Sequence, residues 1–133
     1  MKTVFADTFH YAAIISPKDP YHGAARLVSQ QLFGQIVTTE FVLMELGNGF
    51  GATALREQFA AFAAFLRSDS DTVVVPASSE LFRAGLELFA SRPDKERSLT
   101  DCTSFVVMRD RAIAGASTVD KHFEQAGFKA LLR

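Results

Sequence analysis

The run Thr72-Val73-Val74-Val75, followed directly by Pro76, decides the fold class of this chain. Its β-branched side chains favour a short strand, and Pro76 ends that strand because proline cannot donate to a sheet ladder. Residues 53–67 precede it with apolar side chains at i, i+4, i+7, i+8 and i+11, the period of a helix, and residues 78–91 form the next helix. A strand between two helices indicates a parallel sheet.

The same alternation of strands and helices extends over the rest of the chain. Besides the run at 72–75, we predict strands at 2–6, 36–38, 116–119 and 128–132. Besides the two helices just described, we predict helices at 8–16, 20–33, 40–50, 99–113 and 121–126. We therefore expect a single domain of residues 1–133 with an α/β fold of three layers, in which helices cover both faces of a central parallel sheet.

Composition and charge limit the classes of protein to which the chain can belong. With 133 residues, 48% hydrophobic and 22% charged, it has the composition of a globular protein. A net charge of −1 provides no global basic field for a polyanion, so nucleic-acid binding requires a local patch or bound metal. The single Cys102 excludes an internal disulfide and is expected in the core. No apolar stretch reaches the ~18 residues of a membrane-spanning helix, and we expect a cytoplasmic protein.

Four acidic residues are the candidates for a functional site. Asp7 and Asp120 follow predicted strands, Asp101 opens a predicted helix, and Glu45 lies between apolar residues inside another. The carboxyl ends of parallel strands form the ligand site of such sheets, so three of these carboxylates can converge there and Glu45 can reach them. Their repulsion requires protons or metal, and ligands that are all oxygen favour Mg²⁺ or Mn²⁺ over zinc.

A structural interpretation of the same carboxylates stays open. Asp7 and Asp120 can cap the helices that follow them, and Asp101 can belong to a capping box with Ser98. Glu45 resists this interpretation because it lies well inside a predicted helix.

The three histidines do not have the spacing of a zinc site, and only one cysteine is present. We expect His10 and His22 at polar edge or surface positions. His122 lies two residues after Asp120 and could contact a substrate.

Basic residues precede Asp101 in the loop 92–97. Arg92, Lys95 and Arg97 form this cluster, which together with Lys121 could contact phosphates by charge. A solvated loop is the structural alternative.

Four motifs in order give the chain a family resemblance over nearly its whole length. They are Asp7-Thr8 after the first strand, the segment 39–46 that contains Glu45, Ser98-Leu99-Thr100-Asp101-Cys102 with its continuation to Met108, and the segment 118–123. With these motifs the chain resembles PIN-domain proteins and, among them, the short VapC-type toxins.

The resemblance implies a PIN-like fold and a metal-dependent endoribonuclease that hydrolyses RNA phosphodiester bonds, as the toxin of a toxin–antitoxin pair. Asp7, Glu45, Asp101 and Asp120 would hold Mg²⁺ or Mn²⁺ as catalytic residues. Thr8, Asn48 and Thr118 would orient these ligands, and Arg97, Lys121 and His122 would contact RNA. An antitoxin and a second copy of the chain are the implied partners. The RNA target and the number of metal ions stay open.

Two other classes of function are compatible with parts of this pattern. A PIN-fold module could act by binding a partner with little or no nuclease activity, although four intact carboxylates disfavour this as the only role. A phosphate-accepting receiver domain needs paired acids at the first strand, where Asp7 stands alone.

Overall fold

The sheet has all its strands parallel. A computed structural model describes residues 2–32 and 34–133. Its strands are β1 (Thr3–Ala6), β2 (Gln35–Thr39), β3 (Thr72–Val75), β4 (Gly115–Ser117) and β5 (Lys129–Ala130). They form one sheet in the order β3-β2-β1-β4-β5, and every neighbouring pair is parallel. The predicted central parallel sheet is confirmed.

The helices of the described residues flank this sheet in a three-layer arrangement, as predicted. They are α1 (Thr8–Ile15), α2 (His22–Leu27), α3 (Glu40–Asn48), α4 (Thr53–Ser68), α5 (Ser79–Ser91), α6 (Leu99–Asp110) and α7 (Lys121–Gln125). None of the helices in the described part of the chain is both long and apolar enough to cross a membrane.

Aromatic side chains fill much of the core between the sheet and α6. Phe5, Phe105 and Phe123 have no exposed surface, and the rings of Phe105 and Phe123 meet edge to face with centroids 4.9 Å apart. Cys102 is fully buried beside them on α6, as expected. These contacts fix α6, and therefore its first turn, against the sheet.

The predicted helix at 20–33 is wrong in its bounds. A turn precedes α2, in which Asp19 accepts hydrogen bonds from the backbone of Tyr21 and His22, so the helix begins only at His22. The α-helix ends at Leu27, and a π-helical stretch, Val28–Leu32, continues it. Residue 33 lies outside the described residues. Apolar periodicity does not distinguish an α-helix from a π-helical turn, which accounts for the error.

Several predicted elements are longer than the observed ones, including three in the last third of the chain. The helix at 99–113 ends at Asp110, because the chain turns through Ala112 with φ at 55°. The strand at 116–119 ends at Ser117, and the strand at 128–132 is reduced to Lys129–Ala130. Thr118 thus leaves the ladder, and its side chain is free for other contacts.

The strand order reverses at β1, and this places the functional edge of the sheet. The chain adds β2 and β3 on one side of β1 and β4 and β5 on the other. In open α/β sheets, ligands bind in the crevice beyond the carboxyl ends of the strands where the order reverses. The ends of β1 and β4 form that crevice here.

Candidate active site

Asp7 lies at the point where the strand order reverses. It follows β1 directly, and only 1% of the residue is exposed. Its Oδ2 accepts a hydrogen bond of 2.9 Å from the hydroxyl of Thr118, which follows β4. Asp7 occupies the N-cap position of α1 but makes no capping hydrogen bond with its side chain. The carboxylate is therefore directed to the cleft and not to the helix.

Glu45 reaches the same place from α3. Thr39 ends β2 and caps α3 by accepting a hydrogen bond from the Val42 N–H at 3.0 Å, so the helix begins immediately at the strand end. The hydroxyl of Thr8 donates to Glu45 Oε1 at 3.1 Å and lies 3.4 Å from Asp7 Oδ1. Thr8 thus holds the two carboxylates side by side.

The other two carboxylates each take part in capping a helix, and both also line the cleft. Asp101 and Ser98 form a capping box at the start of α6, with the Asp101 N–H donating to Ser98 Oγ at 2.9 Å. Asp120 caps α7 by accepting a hydrogen bond from the His122 N–H at 2.9 Å. The capping interpretation of the sequence is confirmed for both residues. It does not compete with a functional role, because both side chains also line the cleft.

The four carboxylates share one open cleft of about 480 Å³. It is also lined by Thr8, Phe9, Glu96, Arg97, Ser98 and His122.

Burial and mutual repulsion perturb two of the carboxylates. Burial raises the pKa of Asp7 to about 7, and the negative charges of Asp101 and Glu45 act in the same direction. Burial raises the pKa of Asp101 to about 6, helped by the charges of Asp120 and Glu45. Groups crowded in this way bind a proton or a cation readily.

The cleft fits a divalent cation. Within residues 2–32 and 34–133, no lysine or arginine forms an ion pair with any of the four carboxylates. Asp101, Asp120 and His122 each offer one ligand atom, and these three atoms lie within 4.8 Å of one another. Oxygen-rich donor sets of this kind bind hard cations such as Mg²⁺ and Mn²⁺. The structure supports metal binding without identifying the ion.

Comparison with known families agrees with the geometry. The PIN domain family matches residues 4–129 of the sequence. This chain belongs to the PIN-domain family. The PIN domain is also 30% identical, over 129 residues, to the 23S rRNA-specific endonuclease VapC20 from two strains of Mycobacterium tuberculosis. The alignment covers 94% of this chain and 95% of VapC20.

Solved structures give the same result for the PIN fold. The crystal structure of Mycobacterium tuberculosis VapC20, described as a Sarcin-Ricin loop cleaving toxin, superposes with a TM-score of 0.82 at 28% identity, covering 94% of this chain and 95% of that one. The structure of FitAcB from Neisseria gonorrhoeae matches with a TM-score of 0.66 over 96% and 95% of the two chains, but at 13% identity it shows the fold alone. The predicted resemblance to PIN-domain nucleases of the VapC type is confirmed.

Two of the residues predicted to serve this PIN site lie outside the cleft. Asn48 is exposed at the last position of α3, and Lys121 is exposed at the first position of α7. Neither lines the cleft. Their predicted roles in orienting a ligand and contacting RNA stay predictions.

The sequence analysis also missed features of the cleft. Phe9 and Glu96 line it although they belong to none of the four motifs, and Ser98, the first residue of the third motif, lines it as well. The ring of His122 lies among the carboxylates, with Nδ1 3.0 Å from Asp120 Oδ1. The signal was present in the sequence, because a residue two positions after an N-cap aspartate lies beside its carboxylate.

A larger cavity of about 630 Å³ lies elsewhere in the PIN domain. His10, Tyr11 and Phe62 are among its lining residues. The expected edge or surface position is wrong for His10, which is 1% exposed and has its ring nitrogens near the hydroxyls of Ser117 and Ser29 inside the fold. Burial lowers the pKa of His10 to about 4, so the ring is neutral at neutral pH. None of the four site carboxylates lines this cavity, and we assign the chemistry to the smaller acidic cleft.

Proposed function

We propose that this PIN domain hydrolyses RNA phosphodiester bonds in the acidic cleft, as a divalent-metal-dependent endoribonuclease and the toxin of a toxin–antitoxin pair. One observation carries the proposal. Four carboxylates from four different elements line one cleft where the strand order reverses, and no described lysine or arginine is ion-paired with them. This arrangement is electrostatically unfavourable for the protein alone and favourable with a cation bound.

Asp7, Glu45, Asp101 and Asp120 would hold Mg²⁺ or Mn²⁺. When bound, the cation lowers the pKa of an attacking water and offsets the charge of the phosphate. The protein positions its carboxylates for this purpose through Thr8 and Thr118. Such supporting hydrogen bonds fix the orientation of carboxylates, and the one from Thr118 also favours the ionised form of Asp7.

Arg97 is the cleft residue best placed to contact an RNA phosphate. It lines the cleft, and its guanidinium lies over the Phe105 ring, with Cζ 5.3 Å from the ring centroid. Stacking on an aromatic face limits the freedom of the side chain and reduces the entropy lost when it binds a phosphate. A protein with net charge −1 needs such local contacts to hold a polyanion.

We propose ribosomal RNA of the large subunit as the substrate class. The support is the similarity to VapC20, whose name and structure describe cleavage of 23S rRNA and of the Sarcin-Ricin loop. The sequence match and the structural match each cover 94% of the chain.

The test is cleavage of an end-labelled hairpin that carries the sarcin–ricin loop, beside total transfer RNA and intact ribosomes. Each substrate is incubated with the protein in Mn²⁺, in Mg²⁺ and in EDTA. We expect cleavage of the hairpin or of ribosomes that requires metal and is lost in Asp101→Asn. Asp101 is the third residue of α6 and its side chain accepts the Ser98 N–H; an asparagine side-chain oxygen can accept the same bond, so this variant should keep α6 intact.

The matched control is Asp110→Asn, an exposed carboxylate at the other end of α6. It should cleave as well as the natural chain. Cleavage of transfer RNA alone would contradict the proposed substrate but keep the nuclease. No cleavage of any RNA by protein that binds metal would favour a partner-binding module.

The proposed partners are an antitoxin and a second copy of the chain, and the proposed location is the cytoplasm. On α5, Phe82, Leu86 and Phe89 lie along one face and are 42–45% exposed. Sedimentation of the natural chain beside Phe82→Glu would test self-association through this face.

A further inference from the structure

The imidazole of His122 lies against two of the site carboxylates. Its Nδ1 is 3.0 Å from Asp120 Oδ1 and 4.0 Å from Asp101 Oδ2. The hydrogen bond to Asp120 Oδ1 comes from the backbone N–H of His122, and in the described part of the chain the ring forms no hydrogen bond with either carboxylate. The ring nitrogen therefore lies at ion-pair distance from both acids, without a hydrogen bond directed at either.

These separations match those between ligands of one metal ion. In octahedral coordination with bonds of about 2.1 Å, adjacent ligand atoms lie roughly 3.0 Å apart and opposite ones about 4.2 Å apart. The two distances from Nδ1 agree with an adjacent and a nearly opposite pair. All three ligand atoms lie within 4.8 Å of one another.

The fold holds this nitrogen in place. Asp120 is the N-cap of α7, and His122 is the second residue of that helix, so its backbone is fixed by the cap itself. The His122 side chain is only 27% exposed. The capped backbone and the small exposed fraction of the side chain restrict the positions that the ring can take.

We propose that His122 Nδ1 is a ligand of the catalytic cation, together with Asp101 and Asp120, and that it makes the cleft prefer Mn²⁺ to Mg²⁺. The proposal rests on the proposed function, since it concerns the same cation. Mg²⁺ takes oxygen ligands almost exclusively, whereas a transition-metal ion such as Mn²⁺ also accepts an imidazole nitrogen beside carboxylates. One imidazole among the carboxylates therefore changes the metal selectivity of the site. Because imidazole is a neutral ligand, it leaves the net charge of the carboxylates unchanged.

Pulsed electron paramagnetic resonance of the full-length protein loaded with Mn²⁺ tests this directly. A coordinated imidazole gives a nitrogen modulation of the Mn²⁺ spin echo. We expect this modulation in the natural chain and its loss in His122→Asn, whose side-chain oxygen can lie near the position of Nδ1. The control is His22→Asn, outside the cleft, where the modulation should persist.

Metal competition gives a second readout that does not depend on RNA cleavage. The concentration of free Mn²⁺ is measured from its electron paramagnetic resonance spectrum while Mg²⁺ is added. In His122→Asn we expect Mn²⁺ affinity to fall roughly 10-fold or more, and Mg²⁺ affinity to change much less.

The outcomes separate this inference from the proposed function. Tight Mn²⁺ binding without nitrogen modulation in the natural chain overturns the role of His122 and leaves the metal-dependent nuclease intact. If His122→Asn then raises only the KM for RNA, the ring contacts substrate. Absence of any Mn²⁺ or Mg²⁺ binding overturns both proposals.

Discussion

Thr118 connects the two strand ends that carry the cleft. Its hydroxyl donates a hydrogen bond of 2.9 Å to Asp7 Oδ2 and accepts one of 3.1 Å from the backbone N–H of Asp120. Thr118 is fully buried, so neither bond competes with solvent. One side chain thus orients a carboxylate that follows β1 and positions another that follows β4.

Thr118→Val should weaken metal binding while keeping the shape of the side chain. Valine lacks the hydroxyl, so the orientation of Asp7 and the position of Asp120 would both be lost. We expect Mn²⁺ affinity, measured by isothermal titration calorimetry, to fall roughly 10–100-fold. Thr118→Ser, which restores the hydroxyl, should recover most of the affinity.

Thr72→Val is the matched control for this prediction. The Thr72 hydroxyl also donates to a carboxylate, Asp69, at 2.7 Å, but neither residue lines the cleft. This variant should lose some stability and no metal affinity. Equal losses of affinity in both variants would show that Thr118 acts through general stability.

Asp7 should make the metal-free protein less stable as the pH rises. Its pKa is about 7 in the folded chain and about 3.8 in an unfolded one, so between these values the folded state binds the extra proton. The free energy of unfolding therefore falls across this window as the pH rises, and Asp101 adds to the fall up to about pH 6. Asp7→Asn removes the Asp7 contribution.

The measurement is the difference in Tm between Asp7→Asn and the natural chain in EDTA. His10 acts in the opposite direction, because its pKa is lowered to about 4 and its stabilising contribution is lost as the pH falls from about 6.5. Taking the difference between the two proteins cancels this contribution. We expect the variant to gain on the order of 10 °C relative to the natural chain between pH 4 and pH 7.5. A difference independent of pH would contradict the assigned pKa.

The sequence predicted which carboxylates meet in the cleft where the cost of burying a charge pointed to them. Asp7 and Asp120 follow apolar runs, and the parallel topology brings the ends of such runs together. Asn48 shares a helix face with Glu45 but lies about 4.5 Å farther along the axis and does not line the cleft, so its role stays a prediction. Spacing along the sequence predicts the helix face on which a side chain lies. It does not predict whether the site extends as far along the helix axis as that side chain.

The position of His122 shows a second limit of the sequence. The spacing of the histidines along the sequence indicates no metal site. The ring reaches the carboxylates through the cap geometry of Asp120, which is local and independent of any other histidine. Similarly, the two hydrogen bonds of Thr118 explain why the chain leaves β4 one residue before that threonine.

Gly85 should be intolerant of a side chain because α5 and α6 pack closely there. A Cβ at this position would lie 2.5 Å from Thr103 Cγ2 and 3.2 Å from the Thr103 Cα. Thr103 cannot rotate freely, since its hydroxyl donates to the Thr100 carbonyl at 2.6 Å. Gly85→Ala must therefore separate the helices, and we expect a loss of about 1–3 kcal/mol in chemical denaturation.

Gly23→Ala is the control, because a Cβ at Gly23 in α2 meets nothing within 4 Å. It should be neutral or slightly stabilising, since alanine favours helix more than glycine does. Displacement of α6 also moves Asp101, so Gly85→Ala should weaken metal binding as well. Full stability of Gly85→Ala would contradict the close contact.

Arg97→Gln should reduce RNA binding and leave the metal site intact. The guanidinium stacks on Phe105 at the cleft, where it can meet a phosphate, but it forms no ion pair with a described carboxylate. We expect KM for the RNA hairpin to rise roughly 10-fold. The slope of log KM against log salt concentration should decrease by about one, which is the contribution of a single phosphate contact. The Mn²⁺ affinity should not change.

Arg92→Gln is the matched control, since Arg92 is exposed and paired with Asp94. A lower kcat with unchanged KM would instead place Arg97 at the reacting phosphate, because it would then stabilise only the transition state.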